Sequence, residues 1–578
     1  MTVLEKIDPE AEEGEIGPGR RLIVSGEGLG AGDRLASLFH RLSWRSPFQN
    51  LRLRGRAPLR LVAVPKDPVA GDKAAGEALI RGAFLRRGVS LAVDGLDFAA
   101  GDLPSDVSDY IHGFEWLRDL AAAATRERAA KLAEKLAQRW LAACAEGATR
   151  DSGRPDLWGR RILFWTAYAP YLLSTRDTAY RALFLGTLAR GARHLDRFAE
   201  KAPSGLPRVT AWAGALCAAL VVQGSGVGAG RAEGGLLRAL AGALHDDGGL
   251  QSRSPGQQLA LVELLGQLRA LYIAAERDLP EGISEALPAA AAALLGATHA
   301  DEALSSWQGG HMESKRRVAA AIEATGVRAR PLRQPRGWGY QRLEAKGAVI
   351  VFDAAPPPPG RALRGGCAST LAFELSDGAQ RLVVNCGGPG AAAGALPAEL
   401  VHALRSSAAH STLTIADRNS TAIEVDGSLG KGVTRVEVAR DETGGAVFVE
   451  ASHDGYVRRF GLTHQRQLTL AGDGRELRGQ DLLTGAAKRR RGETLAFTIR
   501  FHLGPEVEAS TTADGQGALL RVRGRPAWQF RCRGGRLAIE DSLWIDGDSA
   551  PRGTFQLVVS GECQDDGASV AWMFRRAA

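Results

Sequence analysis

The sequence predicts an α+β protein of several domains, with a stack of antiparallel helical hairpins followed by a large antiparallel β-sandwich. Three observations carry this prediction. The chain has 578 residues, which is too long for one compact core. Apolar residues recur at helical spacing after about residue 105, and the period changes to two near residue 330. The strand patterns that follow have no helical patterns between them, which favours antiparallel sheets.

These changes of pattern predict three domains. Residues 1–105 form a mixed capping segment, in which residues 59–64 (LRLVAV) are typical of a short strand. Residues 106–330 form the helical domain, and residues 331–578 form the sandwich. Short breaks of Gly, Pro, Ser or Asp separate the helical patterns, so consecutive helices should lie antiparallel.

The individual elements follow from the local period. The first amphipathic helix is defined by apolar residues at three- and four-residue steps or their multiples, namely Phe114, Leu117, Leu120, Leu132, Leu136 and Trp140. Further helices are predicted at about residues 160–175, 178–200, 209–222, 232–244, 256–277, 282–297 and 311–325. Strands are predicted at residues 348–352, 370–375, 381–385, 433–439, 446–451, 456–470, 495–503, 518–523, 527–532, 535–545 and 554–560.

Composition narrows the class of protein. Hydrophobic residues make up 45% and charged residues 24%, the balance of a soluble globular protein. A formal charge of +8 would help an anionic partner approach. The alternative is that the arginines, which supply most of this charge, only reflect GC-rich coding in a Gly- and Ala-rich chain. Nucleic-acid binding rests on that charge alone and is not expected.

Neither a membrane span nor an export signal is expected. No apolar run approaches the roughly 20 residues that cross a bilayer, and the acidic N-terminus lacks the apolar core of a signal peptide. The six cysteines have no CxxC spacing, which indicates reduced thiols. The sequence therefore predicts a cytoplasmic protein.

Five short motifs carry a resemblance to a known family. They are residues 247–255 (DGGLQSRSP), 339–343 (GYQRL), 367–374 (CASTLAFE), 409–412 (AHST) and the paired segments 452–456 (SHDGY) and 461–466 (GLTHQR). In this order, and with the helix-to-strand change in the expected place, the chain resembles the heparinase II/III-like polysaccharide lyases. The resemblance implies that the helical domain is an α/α toroid, an incomplete helical barrel.

The resemblance also implies a chemistry. Such lyases cleave uronate-containing acidic polysaccharides by β-elimination, in which an Asn, His or protonated acid stabilises the developing negative charge. A Tyr or His removes the C5 proton, and a Tyr or His protonates the leaving oxygen. The substrate lies in the cleft between the two domains.

Several positions depart from the family pattern. The place of an Asn-His pair is taken by residues 205–208 (GLPR), and the usual His after the DGG motif is Leu250. Arg253 remains and would contact a substrate carboxylate. His410 has three interpretations: a catalytic acid/base or metal ligand, a histidine satisfied by hydrogen bonds inside the sandwich, or a surface residue. Arg253 and His410 are the predicted catalytic residues.

A structural zinc is implied by the family, but its ligand positions read Ser369, Asn385 and His410. Serine and neutral asparagine are poor zinc ligands, whereas Cys367 and Cys386 with His410 would form a sound soft set if they converge. The alternative is that both cysteines are small buried hydrophobic residues. Zinc is therefore a possible cofactor, not an expected one.

Aromatic residues of the helical domain complete the candidate site. Trp158 and Trp212 are predicted to stack on sugar rings, although core packing is the competing interpretation. The tyrosines that could serve as the base are Tyr168, Tyr171, Tyr180 and Tyr272. His453 and His464 are predicted to be structural.

Two functions remain open. The first is a polysaccharide lyase of the heparinase II/III-like type, acting on an acidic polysaccharide or oligosaccharide. The second is a catalytically degenerate glycan-binding or envelope-assembly protein on the same fold, which the loss of the Asn-His pair and of the zinc ligands favours.

Overall fold

The computed structural model describes residues 20–24, 60–100, 103–144, 153–310, 312–360, 363, 365–388, 396–486, 494–548 and 550–577. Within these residues, helices dominate up to about residue 325 and strands dominate from residue 340 onwards. The predicted order of a helical toroid and an antiparallel sandwich is confirmed.

The helical part begins beside a small hairpin and continues as helical pairs. Its helices are α1 Lys73–Ile80, α2 Ser105–His112, α3 Trp116–Ala123, α4 Arg126–Cys144, α5 Pro155–Ala167, α6 Ala169–Leu172, α7 Thr178–Phe198, α8 Leu206–Val221, α9 Ala229–Ala241, α10 Pro255–Ala274, α11 Glu281–Gly296 and α12 Lys315–Thr325. Asp72, Asp177 and Ser314 cap three of them by accepting hydrogen bonds from backbone N–H groups of the first turn. Strands β2 Ala83–Arg86 and β3 Val89–Ala92 form the hairpin.

Small residues let neighbouring helices approach closely. A Cβ atom added at Gly159 of α5 would lie 2.1 Å from the Thr210 carbonyl oxygen of α8, and one at Gly214 of α8 would lie 2.3 Å from Gly159 Cα. The two backbones are therefore in contact, and any side chain at either position would push the pair apart.

The sandwich consists of two large antiparallel sheets. Their strands are β1 Arg20–Val24, β4 Tyr340–Ala345, β5 Ala348–Asp353, β6 Phe373–Asp377, β7 Gln380–Val384, β8 Leu413–Ile415, β9 Arg435–Thr443, β10 Ala446–His453, β11 Leu462–Leu470, β12 Glu476–Gly485, β13 Leu495–Leu503, β14 Glu508–Thr511, β15 Gly517–Arg521, β16 Trp528–Arg533, β17 Arg536–Ile545, β18 Pro551–Cys563 and β19 Ala568–Arg576. The nine-stranded sheet has the order β1-β9-β10-β11-β12-β19-β16-β15-β14, and the eight-stranded sheet has the order β17-β18-β13-β7-β6-β5-β4, with β8 pairing β13. Short helices α13 Ala398–Ala403 and α14 Val457–Phe460 lie between strands.

Three details differ from the sequence-based expectation. The strand predicted over residues 456–470 begins only at Leu462, because residues 457–460 form one helical turn that Gly461 ends at a φ of 65°. Part of the predicted N-terminal capping segment belongs to the sandwich, since β1 pairs with β9 at the edge of the nine-stranded sheet. Of the strand predicted at residues 59–64, residues 60–64 are described, and they contain a single bridge from Leu61 to Val222.

Each part has its own apolar core, and the helical core reaches into the sandwich. Trp338 and Tyr340 belong to the same buried cluster as the toroid helices. The DGG motif ties the two parts together, because Asp247 Oδ2 accepts hydrogen bonds from the backbone N–H groups of Arg336, Gly337 and Trp338 at 2.8–2.9 Å. Among the helices described, none is long and apolar enough to cross a membrane.

Candidate functional site

A large cleft lies between the helical domain and the sandwich. Its volume is about 1030 Å³, and its walls come from the β2–β3 hairpin, from helices α1, α3, α10 and α12, and from the segments that join β13 to β14 and β17 to β18. A smaller cavity of about 180 Å³ shares Arg86, Glu115 and Arg317 with it. Clefts between domains are common places for ligands.

Local structure explains how charged residues come to line this cleft. The β2–β3 hairpin turns at Arg87, whose φ is +49°, and presents Arg86 and Arg87 to the cleft. Glu115 directly precedes α3 and Glu313 lies just before α12, so both face the cleft from the ends of helices. Arg317 follows in the first turn of α12.

These side chains form one network of ion pairs. Arg317 reaches Glu263 at 3.1 Å, Glu313 at 3.1 Å and Glu115 at 4.0 Å. Arg86 pairs with Glu115 at 3.2 Å. Further pairs join Arg87 to Glu313, and Arg118 to Glu263 and Asp67.

The network shifts the ionisation of its members. Burial alone would raise the pKa of Glu115, but Arg86, Arg160 and Arg317 outweigh it and hold that pKa well below its usual range. Burial lowers the pKa of Arg87 to about 10. Burial also raises the pKa of Asp119 to about 6, although hydrogen bonds from the Tyr110 hydroxyl and the Asp72 backbone N–H oppose it.

The chemistry available in the cleft is limited. Its described lining residues include six arginines and eight carboxylates but no histidine and no tyrosine. The adjoining smaller cavity likewise has neither among its described lining residues. The side chains that usually move protons in β-elimination are therefore absent from the described walls, and the walls offer planar hydrogen-bonding groups instead.

His410 lies inside the sandwich and is not among the described residues that line this cleft. Its side chain is 3% exposed, and its Nδ1 lies 2.7 Å from the Ser406 carbonyl oxygen. Burial lowers the pKa of His410. Of the three interpretations, this placement corresponds to a histidine satisfied by hydrogen bonds in the sandwich, and its catalytic role stays a prediction without support from the geometry.

Arg253 is also buried, and its donors are engaged by the protein itself. Nη2 pairs with Asp353 at 2.5 Å, Nε donates to the Trp338 carbonyl, and Nη1 donates to the carbonyls of Ala355 and Pro356. Residues on both sides of the domain boundary are joined in this way. Contact with a substrate carboxylate would require breaking these bonds, so the structure corrects the sequence-based role to one of joining the domains.

Trp158 and Trp212 are core residues. Each is 3% exposed, and each packs on a glycine of a neighbouring helix, where an added Cβ at Gly191 or Gly235 would lie 2.4–2.5 Å from the ring. Neither ring has a free face for a sugar, so core packing replaces the predicted stacking role.

The candidate tyrosines serve structural contacts too. Tyr168 donates to Asp67 at 3.1 Å and Tyr272 donates to Glu233 at 2.6 Å. Burial raises the pKa of both hydroxyls. Tyr180 is buried and Tyr171 packs edge-on against Tyr168, so none of the four is placed as a base in the cleft lining.

The predicted zinc set does not converge. Cys386 Sγ lies 3.5 Å from His502 Nδ1, whereas Cys367 Sγ contacts the Gly365 carbonyl. Burial raises the pKa of Cys367 to about 11 and that of Cys386 to about 12, which disfavours the thiolates that zinc needs. Among the described residues, no group of three or more His, Cys, Asp or Glu side chains is placed to hold a metal ion. The cysteines act as buried hydrophobic residues.

A polar network occupies the place of the implied metal ligands. Asn385 donates to Glu374 at 2.9 Å, and the other oxygen of Glu374 lies 2.7 Å from His299 Nε2. Ser369 donates to Asp353 at 2.6 Å. Sequence reasoning missed His299, because it comes from the helical part and no motif spacing joins it to Glu374, the last residue of the CASTLAFE motif.

Comparisons with known proteins agree with this fold. A family model described as "Heparinase II/III-like, C-terminal" matches residues 327–573. FtsZ-localized protein C of Caulobacter vibrioides is 31% identical over 539 residues, which cover 90% of this chain and 91% of that protein. The chain belongs to the heparinase II/III-like family.

Solved structures with a similar fold match over most of the chain. The crystal structure of heparinase III matches with a TM-score of 0.67 at 14% identity and covers 95% of this chain and 92% of its own. A mutant of the heparan sulfate lyase HepC from Pedobacter heparinus matches with a TM-score of 0.55 at 14% identity, covering 95% and 89%. At this identity the likeness establishes the fold of this heparinase II/III-like chain, not its activity.

Proposed function

We propose that this protein binds a glycan of the cell envelope in its interdomain cleft without cleaving it, and that it does so where FtsZ assembles. One observation carries the first half of the proposal. The described lining of the cleft holds no histidine and no tyrosine, and β-elimination needs such groups to take and return a proton.

The helix that would bring charge-stabilising residues also lacks them. Helix α8 begins at Leu206, and the residues around its start are Gly205, Pro207 and Arg208 in place of an asparagine and a histidine. Arg208 turns back to donate two hydrogen bonds to the Ala202 carbonyl. Arg208 therefore holds the segment before the helix in place. The start of this helix offers no asparagine or histidine side chain that could stabilise a developing negative charge.

Charge in the cleft favours a particular class of glycan. Five of the six lining arginines are paired with carboxylates, and the described carboxylates outnumber the arginines by eight to six. A heavily sulfated or uronate-rich polymer would meet no excess of positive charge. The mixture of guanidinium and carboxylate groups suits hydroxyl, amide and amine groups, as found on a weakly charged or zwitterionic glycan.

The second half of the proposal rests on the relative from Caulobacter vibrioides. That protein is named for its localisation with FtsZ, and the likeness extends over 90% of this chain. A family fold that elsewhere handles polysaccharides, joined to such a relative, supports a role as an envelope-assembly protein.

The competing function is elimination by a cleft carboxylate. Asp119 favours it, because its pKa of about 6 lies in the range of a general base. Both of its oxygens already accept hydrogen bonds from the protein, and no residue described in the cleft lining is a neutral partner acid of the tyrosine or histidine type.

The experiment separates the two functions with one purified protein. We expect no rise in ultraviolet absorbance from unsaturated uronate on heparan sulfate, hyaluronan, alginate or pectate, and co-sedimentation with isolated cell-wall glycan. Absorbance that is lost on Asp119→Asn would establish the lyase instead. A fluorescent fusion should also coincide with FtsZ and disperse when FtsZ is depleted.

A matched pair of variants assigns the glycan to the cleft. Arg316 is exposed at the cleft mouth and has no ion-pair partner among the described residues, so Arg316→Glu should leave the fold intact and weaken co-sedimentation about tenfold. Arg435→Glu, an exposed change on strand β9, should have no effect. Equal binding by both variants would remove the cleft from the proposal.

A further inference from the structure

A second groove lies on the outer face of the nine-stranded sheet, away from the interdomain cleft. Its volume is about 440 Å³. The strand register explains its composition, because outward-facing residues of β11, β12, β19 and β16 align in two rows across the sheet. The rows are Thr469–Arg478–Met573–Arg531 and Gln467–Gln480–Ala571–Arg533.

Small residues make the floor of the groove. Ala571 contributes only a methyl group to the floor, and the backbone of Gly479 lies beside it. Gly479 itself faces the core of the sandwich, where an added Cβ would lie 2.2 Å from the Trp572 indole ring. Met573 and Thr469 provide adaptable apolar atoms at one end. The floor is thus a shallow apolar depression in an otherwise polar sheet.

The charge of this groove differs from that of the cleft. Its described lining residues include Arg478, Arg531 and Arg533 and no carboxylate. Arg478 and Arg531 pair with Glu476 and Asp514, which lie outside the lining. Those pairs are solvent-exposed and therefore weak. Arg533 is exposed and has no ion-pair partner among the described residues.

We propose that this groove is a docking site for an extended acidic peptide segment of a partner protein. An apolar side chain of that peptide occupies the depression over Ala571, and its carboxylates pair with Arg531 and Arg533. A peptide fits better than an anionic sugar chain, because no aromatic side chain projects from the rows to stack on a sugar ring and the apolar floor would strip water from hydroxyl groups.

The test uses the full chain and a fluorescein-labelled synthetic peptide of alternating glutamate and leucine. We expect its anisotropy to rise on binding and the affinity to fall with added salt. The same peptide with glutamine in place of glutamate should bind at least about tenfold more weakly, since each charge pair that is lost removes attraction. A heparin-derived oligosaccharide should not displace the acidic peptide.

Variants separate charge from shape. Arg533→Glu should weaken binding about tenfold by placing a like charge against the peptide, and Ala571→Tyr should weaken it about as much by filling the depression while leaving the charge unchanged. Arg536→Glu, an exposed change on β17 of the other sheet, is the matched control and should bind like the parent protein.

Three results would overturn the proposal. The first is no binding of the acidic peptide at low salt. The second is binding that survives both Arg533→Glu and Ala571→Tyr, with circular dichroism showing that the variants are folded. The third is displacement by the heparin oligosaccharide, which would assign the groove to an anionic glycan.

Discussion

Two networks of arginine and carboxylate lie in different surroundings in this molecule. In the sandwich core, Asp481 accepts hydrogen bonds from His464, Arg466 and Trp572, and all four side chains are at most 3% exposed. In the cleft, Arg317 joins three carboxylates but is 27% exposed. The same chemical groups therefore make a closed network in one place and an open one in the other.

Hydrogen bonding separates the two networks further. Arg466 uses Nε and Nη2 on Asp481 and donates from Nη1 to the carbonyls of Leu371 and Ser411. In the cleft, the Nε atoms of Arg86 and Arg87 are buried and have no hydrogen-bond partner among the described residues. A saturated network stabilises the fold, whereas the cleft network leaves donors unused. Because the two unused Nε atoms are buried, a ligand in the cleft would meet the exposed Arg316 and not them.

The largest effect should come from opening the closed network. Asp481→Asn leaves the Arg466 charge buried without a counter-ion, so we expect the free energy of unfolding to fall by about 3–5 kcal/mol. Urea denaturation followed by tryptophan fluorescence measures it. Asp514→Asn removes an exposed partner of Arg531 and should leave the midpoint unchanged. A loss below about 1 kcal/mol for Asp481→Asn would mean that the core network contributes little.

The two regions should also respond to pH in opposite directions. Burial lowers the pKa of His502 in the sandwich to about 3, whereas the unfolded chain takes up that proton near pH 6.5. The unfolded state therefore binds more protons between these values, and His502 makes stability fall as the pH falls, by about 2 kcal/mol from pH 6.5 to 5. Asp119, with its raised pKa of about 6, makes stability rise as the pH falls from 6 towards 4.

Variants at these two positions test the opposite signs. In unfolding experiments across pH 4–7, His502→Gln should flatten the acid-side loss of stability, and Asp119→Asn should steepen it. If both variants changed the slope in the same direction, one of the two pKa shifts would have the wrong sign. Comparison of slopes rather than of absolute stabilities cancels the cost of the substitution itself.

Elements with a clear period could be predicted from the sequence. The helix expected at residues 178–200 is Thr178–Phe198, and the strand expected at residues 495–503 is Leu495–Leu503. Both elements are long, and their apolar residues recur at helical spacing in the first and at every second position in the second, so the period clearly indicates the type of element. The strand Glu476–Gly485 was missed, because Gly479 and the buried Asp481 interrupt its alternation of apolar and polar residues.

The candidate site could not be predicted in the same way. Arg86, Glu115, Glu263 and Arg317 come from four distant parts of the chain, and each is an ordinary charged residue in its local context. The motif residue Arg253 misled for the opposite reason. Its motif marks a joint between domains, where the ion pair to Asp353 is fully buried, and a motif alone does not distinguish such a joint from a catalytic group.

The smallest effect on stability should come from a substitution in the open network of the cleft. It also distinguishes most directly between a network that binds a ligand and one that only stabilises the fold. Arg317→Gln removes the shared partner of three carboxylates, but water reaches this position, so we expect a loss of about 1 kcal/mol. Binding to cell-wall glycan should nevertheless fall about tenfold, because the cleft loses a charged donor. Asp481→Asn should show the reverse, a large loss of stability with unchanged binding by the folded fraction. If Arg317→Gln cost as much stability as Asp481→Asn and left binding unchanged, the cleft network would be a structural one like that of the sandwich, and the ligand would have to lie elsewhere.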